Sequence, residues 1–243
     1  MKILFLLALL IPFKGYSADS IFINVGEFPP FVSSEMKEKG FSSALVAEAF
    51  KAVGKKIKIE IFPWPRALYT TQTLDGSASY PWAKNKERKK DFLYSDVLHE
   101  DKIRFFGEKN TKLENAKVCY PHDWDLSQFG FALKKYKMEI IARPNSIDQC
   151  LLMISTKRLD FTFVNETVGF YKINELGLQK NIIGRDEITA DDNTYLIVGK
   201  SNPKSKVILA DFNKGLDIIR KDGRYLKIKQ AFASGRIPNS VWY

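Results

Sequence analysis

Cysteine and histidine are almost missing from this sequence, which holds two of each among 243 residues. Cys119, Cys150, His99 and His122 share no paired ligand spacing, so a zinc site is not expected and nothing calls for another cofactor. No nucleophile with an accompanying base stands out, which leaves little for an enzyme mechanism, and each histidine is expected on the surface or in a loop. The lysines raise the formal net charge to +10 yet never gather into a block or a basic helix with aromatic platforms. Scattered between hydrophobic residues, they describe a solvated basic surface and argue against a nucleic-acid partner. Beyond the N-terminus, no apolar run approaches the roughly 20 residues that span a bilayer.

What is present begins with Lys2 and the apolar run Ile3 to Phe13, followed by small residues at Gly15 and Ser17. This is the pattern of a secretory signal peptide, residues 1–17, with cleavage after Ser17. No cysteine stands at that point to carry a lipid, so a soluble protein exported to the periplasm is expected. A content of 45% hydrophobic and 13% aromatic residues is enough for a large core.

Taken in order, Ile21 to Val25 forms an apolar strand, and Gly26-Glu27-Phe28-Pro29-Pro30-Phe31 leaves its C-terminal end, where open α/β sheets bind ligands. Apolar residues at 45, 46, 49, 50 and 53 predict an amphipathic helix with a serine cap at its start and Gly54 as its stop. Ile57, Ile59 and Ile61 alternate with Lys58 and Glu60, the pattern of an edge strand with one wetter face. Phe62-Pro63-Trp64-Pro65-Arg66 follows at the strand end, then a helix to about Leu74 and a strand from Ser77. A strand over Asp101–Gly107 leads to a second βαβαβ run: strand 116–120, helix 126–136, strand 138–142, helix 146–159 and strand 160–164. A return strand at 194–199 and helices broken at Asp222-Gly223 complete the chain.

The stretch Ser77 to Ser95 is the centre of this arrangement. It sets Tyr80 and Trp82 on alternate strand positions, then Arg88 among lysines, then Phe92 to Ser95. Only arginine offers a rigid fork that pairs with a carboxylate through two parallel hydrogen bonds. This pattern resembles the periplasmic solute-binding proteins of family 3, the amino-acid-binding subunits of ABC importers. Their first lobe carries a strand, a short turn ending in arginine, and then Phe-Ser. The likeness extends in order over the expected mature chain, through Lys200-Ser201-Asn202-Pro203 and Asp222-Gly223-Arg224-Tyr225.

The resemblance implies an α/β fold: a two-lobed periplasmic-binding-protein clamp, each lobe a mostly parallel sheet flanked by helices, joined by two crossover strands. Residues 18–100 and 201–243 would form the first lobe and residues 101–200 the second. It also implies a monomer that binds a small molecule and serves an ABC transporter permease or a membrane sensor. Arg88 matches the arginine that takes the ligand carboxylate, and Phe28 the aromatic residue of the first loop. The family's ammonium-binding acid falls on Asn165, which carries no charge. A buried ammonium left unpaired is costly, so either Glu166 or Asp123 substitutes or the ligand lacks a standard amino-acid head. Phe28, Trp64, Tyr80 and Trp82 suit a flat or partly apolar ligand, and Arg66 is a further candidate contact. The fold also hosts a dehydratase of cyclohexadienyl type, for which Glu166 would be the general acid. An adhesion module is the third reading, and the aromatic cleft speaks against it.

In the implied topology the helix bearing Cys150 passes over the strand bearing Cys119. The two thiols are placed to meet in an oxidising compartment, with two buried free thiols as the alternative. For the signal peptide, N-terminal sequencing of secreted protein is expected to begin at Ala18, within one residue.

Overall fold

A computed structural model describes residues 20–122 and 129–233. The expected signal peptide and Asp123 lie outside the described residues. In chain order the elements are β1 (Ile21–Val25), α1 (Phe41–Ala52), β2 (Ile57–Ile61), α2 (Trp64–Thr73), β3 (Ser77–Ala83), α3 (Arg88–Asp91), β4 (Phe92–Gly107) and β5 (Lys117–Cys119). They continue with α4 (Gly130–Lys135), β6 (Glu139–Ala142), α5 (Ile147–Ser155), β7 (Phe161–Asn165), α6 (Glu166–Glu175), β8 (Ile183–Gly199), α7 (Ser205–Lys221) and α8 (Arg224–Ala233).

The strands are ordered β2-β1-β3-β8-β4-β7-β5-β6. The outer three on each side are mutually parallel, as βαβ connections require, while β8 and β4 between them are antiparallel to each other and to their outer neighbours. This is the two-lobed periplasmic-binding-protein arrangement, with both halves built on one pair of long strands. β4 is 16 residues long and β8 is 17, and their pairing runs from Phe92 opposite Gly199 to Gly107 opposite Ile183. Register shifts near Val97 and near Arg104 interrupt that ladder. The lobe boundary expected at residue 100 falls within β4, and the one at residue 200 follows the end of β8.

The larger hydrophobic cluster runs through both halves, from Ile23 and Phe50 to Leu151 and Val168. Around β1 and β3, the buried faces of α1 and α7 pack so closely that a Cβ at Gly215 would stand 1.9 Å from the Ala49 carbonyl oxygen. Beyond β4, the rings of Phe105, Phe129, Phe161 and Phe163 form a smaller cluster. No helix among the described residues is long and apolar enough to cross a membrane.

Three local expectations need correction. α1 starts at Phe41 behind Gly40, whose φ of 96° suits glycine, and has no serine cap. Ser43 instead donates to the Lys39 carbonyl, and Ser42 Oγ lies 2.8 Å from His99 Nε2. His99 is not a surface residue: it is 3% exposed on β4 and stacks on Phe31 at 4.6 Å. Burial, assisted by Lys229, lowers its pKa to about 3, so it stays neutral. Finally, β8 begins eleven residues before the expected return strand, and α6 was not anticipated.

Cys119 on β5 and Cys150 on α5 are joined in a disulfide, with their Cα atoms 5.4 Å apart and both residues fully buried. The bond spans 31 residues, for which the chain-entropy model gives about 3–4 kcal/mol. Unreduced protein in denaturant should therefore show no titratable thiol. The Cys119→Ala/Cys150→Ala double variant should lose stability of that order in urea denaturation.

Candidate functional site

Where the two halves face each other lies a cavity of about 420 Å³, within the range of small-molecule sites. Its first wall is aromatic. The Phe28 ring meets Trp64 edge-on at 6.3 Å, and Trp64 meets Trp82 edge-on at 4.9 Å. Both indole N–H groups are satisfied, Trp64 by the Glu27 carbonyl at 3.2 Å and Trp82 by Ser79 Oγ at 2.8 Å. The rings are thereby fixed in place along the cavity. Gly26 makes room for this wall, since a Cβ there would come within 2.4 Å of the Trp64 ring.

Arg88 stands beside the aromatic wall at the start of α3. Its guanidinium lies 4.8 Å from the Trp82 ring centre, and Nη1 donates to the Ala83 carbonyl at 2.5 Å. Asn85 holds the turn by accepting from the Arg88 amide at 2.7 Å. These two contacts hold the guanidinium in one orientation at the edge of the cavity.

The opposite wall comes from β7, α6, the start of α5 and the middle of β8. α5 begins at a Ser146 cap that accepts from the Gln149 amide, and the disulfide ties this helix to β5. Asp148 and Lys172 meet there at 3.3 Å, and Lys172 also reaches Glu175 at 2.8 Å. Burial alone would lower the Lys172 pKa, but these two acids raise it. Lys172 therefore stays charged at the rim of the cavity. At the floor, Asn165 Nδ2 donates to Asp192 Oδ2 in a short buried hydrogen bond.

Of the residues expected from sequence, Phe28, Trp64, Trp82, Arg88 and Asn165 line this one cavity, and Tyr80, Arg66 and Glu166 do not. A register shift between Ser79 and Trp82 turns Trp82 to the cavity and leaves Tyr80 fully buried in the core. Arg66 is exposed and rests on Phe62 at 4.5 Å. Glu166 is committed to Arg104 at 2.5 Å, which pairs with Asp186 as well, and so is spent within the second half. Asp192, Asp148 and Lys172 were missed. In sequence Asp192 sits in the polar run Asp191-Asp192-Asn193, which gives no strand signal.

The sequence matches the bacterial extracellular solute-binding proteins, family 3, over residues 21–235. The chain belongs to that family. No curated protein matches it. Among solved structures, this family 3 protein is similar to the GluR0 ligand-binding core of Nostoc punctiforme in complex with L-glutamate, with 16% identity, a TM-score of 0.69, and coverage of 87% of this chain and 98% of that one. It is also similar to a histidine kinase sensor domain described as resembling periplasmic binding proteins, at 17% identity and a TM-score of 0.73 over 90% and 98%. A third is the arginine-, lysine-, histidine-binding protein ArtJ of Geobacillus stearothermophilus, at 15% identity and a TM-score of 0.69 over 90% and 97%. At these identities the likeness establishes the shared fold.

Behind the floor of this family 3 cavity, Asp101 on β4 is the register partner of Asp192 on β8. Cross-strand partners in a sheet stand with their Cβ atoms roughly 5 Å apart, so two carboxylates share one buried space. Burial, together with Asp192 and Glu166, raises the Asp101 pKa to about 7, against the opposing hydrogen bonds from the Lys102 amide and Thr167. An acid whose folded pKa lies above its unfolded value binds more protons in the native state, so its ionisation destabilises the fold as pH rises through that interval. Asp101→Asn, which cannot ionise, should thus gain stability relative to wild type between about pH 4 and 7. The gain is of order 1 kcal/mol per pH unit and levels off above pH 7. Parallel stability curves for the two proteins from pH 4 to 8 would show that Asp101 is ionised throughout.

Proposed function

We propose that this is a periplasmic solute-binding protein whose lobes close on a small carboxylate-bearing ligand, amino-acid-like or aromatic and polar, for an ABC importer or a membrane sensor. The observation that carries the reading is Arg88. Its guanidinium is stacked on Trp82, tethered to Ala83, and set at an aromatic cavity between two halves that share a pair of long strands. The wall opposite Arg88 belongs to the other half, so a ligand that touches both walls favours the closed form. Residues 18–100 with 201–243 form the first lobe in this reading, residues 101–200 the second, and β4 and β8 the hinge. The protein acts as a monomer, exported after loss of residues 1–17.

Support for both delivery routes comes from the similar structures, which include an arginine-, lysine-, histidine-binding protein and a kinase sensor domain. Binding without turnover is favoured over the dehydratase alternative, because the acid proposed for that chemistry, Glu166, is held by Arg104 away from the cavity.

The test is a thermal-shift screen of L-amino acids and related carboxylates, followed by titration of the best binder. Arg88→Ala leaves a desolvated carboxylate unpaired and should weaken binding by about 2–5 kcal/mol, at least thirtyfold. Arg88→Lys keeps the charge without the fork and should fall between. Lys89→Ala, an exposed neighbour, should change affinity by less than about 1 kcal/mol. Equal small losses in Arg88→Ala and Lys89→Ala would remove the carboxylate assignment, and consumption of the bound compound would restore the enzyme reading.

A further inference from the structure

A second cavity, of about 620 Å³, shares no lining residue with the one between the halves. It is bounded by β4 between residues 96 and 100, by Phe41 at the start of α1, by Thr167 on α6, and by the helices α7 and α8. Two contacts seat those last helices on β4. Arg220 donates to the Val97 carbonyl at 2.6 Å, and the Tyr225 hydroxyl donates to the Leu98 carbonyl at 3.3 Å.

We propose that this cavity is a second binding site, which takes a small oxyanion between the Lys229 ammonium and the His99 ring. It is independent of the carboxylate reading of the first cavity. Three observations carry it. The first is an unsatisfied donor. His99 is 3% exposed and lines the cavity, and its Nδ1 is buried without a hydrogen-bond partner among the described residues. Its other nitrogen, Nε2, lies 2.8 Å from Ser42 Oγ. Among the described residues the buried Ser42 hydroxyl has no other acceptor, so it donates to Nε2 and the ring proton of the neutral imidazole sits on Nδ1. A buried N–H without an acceptor is uncommon in folded proteins, and this one calls for an acceptor from outside the chain.

The second observation is Lys229. It is half-buried on α8, lines the same cavity and forms no ion pair among the described residues. Its charge reaches His99, where it helps to keep the ring neutral. An ammonium and a ring N–H beside one space are both donors, and an oxyanion accepts from both while balancing the charge. The third is the placing of the remaining charges. The acids of this cavity, Asp96 and Glu100, are exposed, so water and salt screen them. Arg220 adds a second cation on the same cavity, held by the Val97 carbonyl and lying 5.3 Å from the Tyr225 ring centre.

The experiment is NMR of the histidine ring nitrogens, which come from His99 and His122 alone. Inorganic phosphate, sulfate and acetate are titrated in turn into chloride buffer of constant ionic strength, and a His122→Gln variant assigns the signals. The expected result is that His99 carries its proton on Nδ1, and that at least one of the three anions shifts that resonance saturably while His122 stays unmoved. The anion that does so identifies the class of oxyanion. Lys229→Gln should weaken the binding about tenfold or more, and Lys229→Arg, which keeps the charge, should largely restore it. The exposed Lys227→Gln and the cleft variant Arg88→Ala should titrate as wild type does. A proton found on Nε2, or no saturable shift with any of the three anions, would mean that the cavity holds water only and would overturn the site. Unchanged affinity in Lys229→Gln would remove the assignment, and a loss in Arg88→Ala would move the anion to the first cavity and overturn it equally. The readings on wild type decide the matter should the Lys229 variants not fold.

Discussion

The structure depends on the ladder between β4 and β8. Two strands of 16 and 17 residues, hydrogen-bonded along almost their full length, belong to both halves at once. Every other element is attached to them from one side or the other: β3 and the first βαβαβ run to β8, and β7 with the second run to β4. In the outer part of β8, where Asp186, Glu187, Thr189 and Asp191 are exposed, backbone hydrogen bonding to β4 and not a buried apolar face makes the strand. The register shifts near Val97 and Arg104 mark where the ladder is already irregular and bends at lowest cost.

That origin explains what the sequence could and could not convey. The strands β1, β2 and β3 and the helices α1, α2 and α5 announce themselves through apolar runs or periodic faces, and they appear where those patterns put them. Residues 183–193, Ile-Gly-Arg-Asp-Glu-Ile-Thr-Ala-Asp-Asp-Asn, present neither pattern, so half of a crossover strand was invisible until its partner was known. The site divides in the same way. Phe28, Trp64, Trp82, Arg88 and Asn165 were legible because each sits at a strand end or in a spaced motif. Tyr80 was misplaced because strand alternation assumes an unbroken register, and β3 has a shift right there. Glu166 was misassigned because no sequence pattern reveals that Arg104, 62 positions away, is its partner.

Several of the buried polar groups lie at the junction between the halves. Asp192, Asn165, His99 and Thr194 are buried on or beside the shared strands, and Asp101 is half-buried among them. Each costs desolvation energy, which the aromatic and aliphatic clusters on either side must offset. His99 is accommodated by staying neutral between Phe31 and Ser42, and Asp101 by holding its proton until near neutrality. Polar groups kept at such expense in the middle of the shared strands are where natural sequences depart from the most stable solution for the sake of a task.

The location of Asp192 within β8 has a kinetic implication. A contact made by a residue on the pivot belongs to neither jaw, and its geometry changes least when the jaws move. Only differential interaction with the two forms shifts their balance. In the proposed closure, the part of the cavity that Asp192 lines therefore changes little as the jaws meet. In that reading the decision to shut is left to groups that approach one another only at the end of the motion: the aromatic wall from one side, Asp148 and Lys172 from the other.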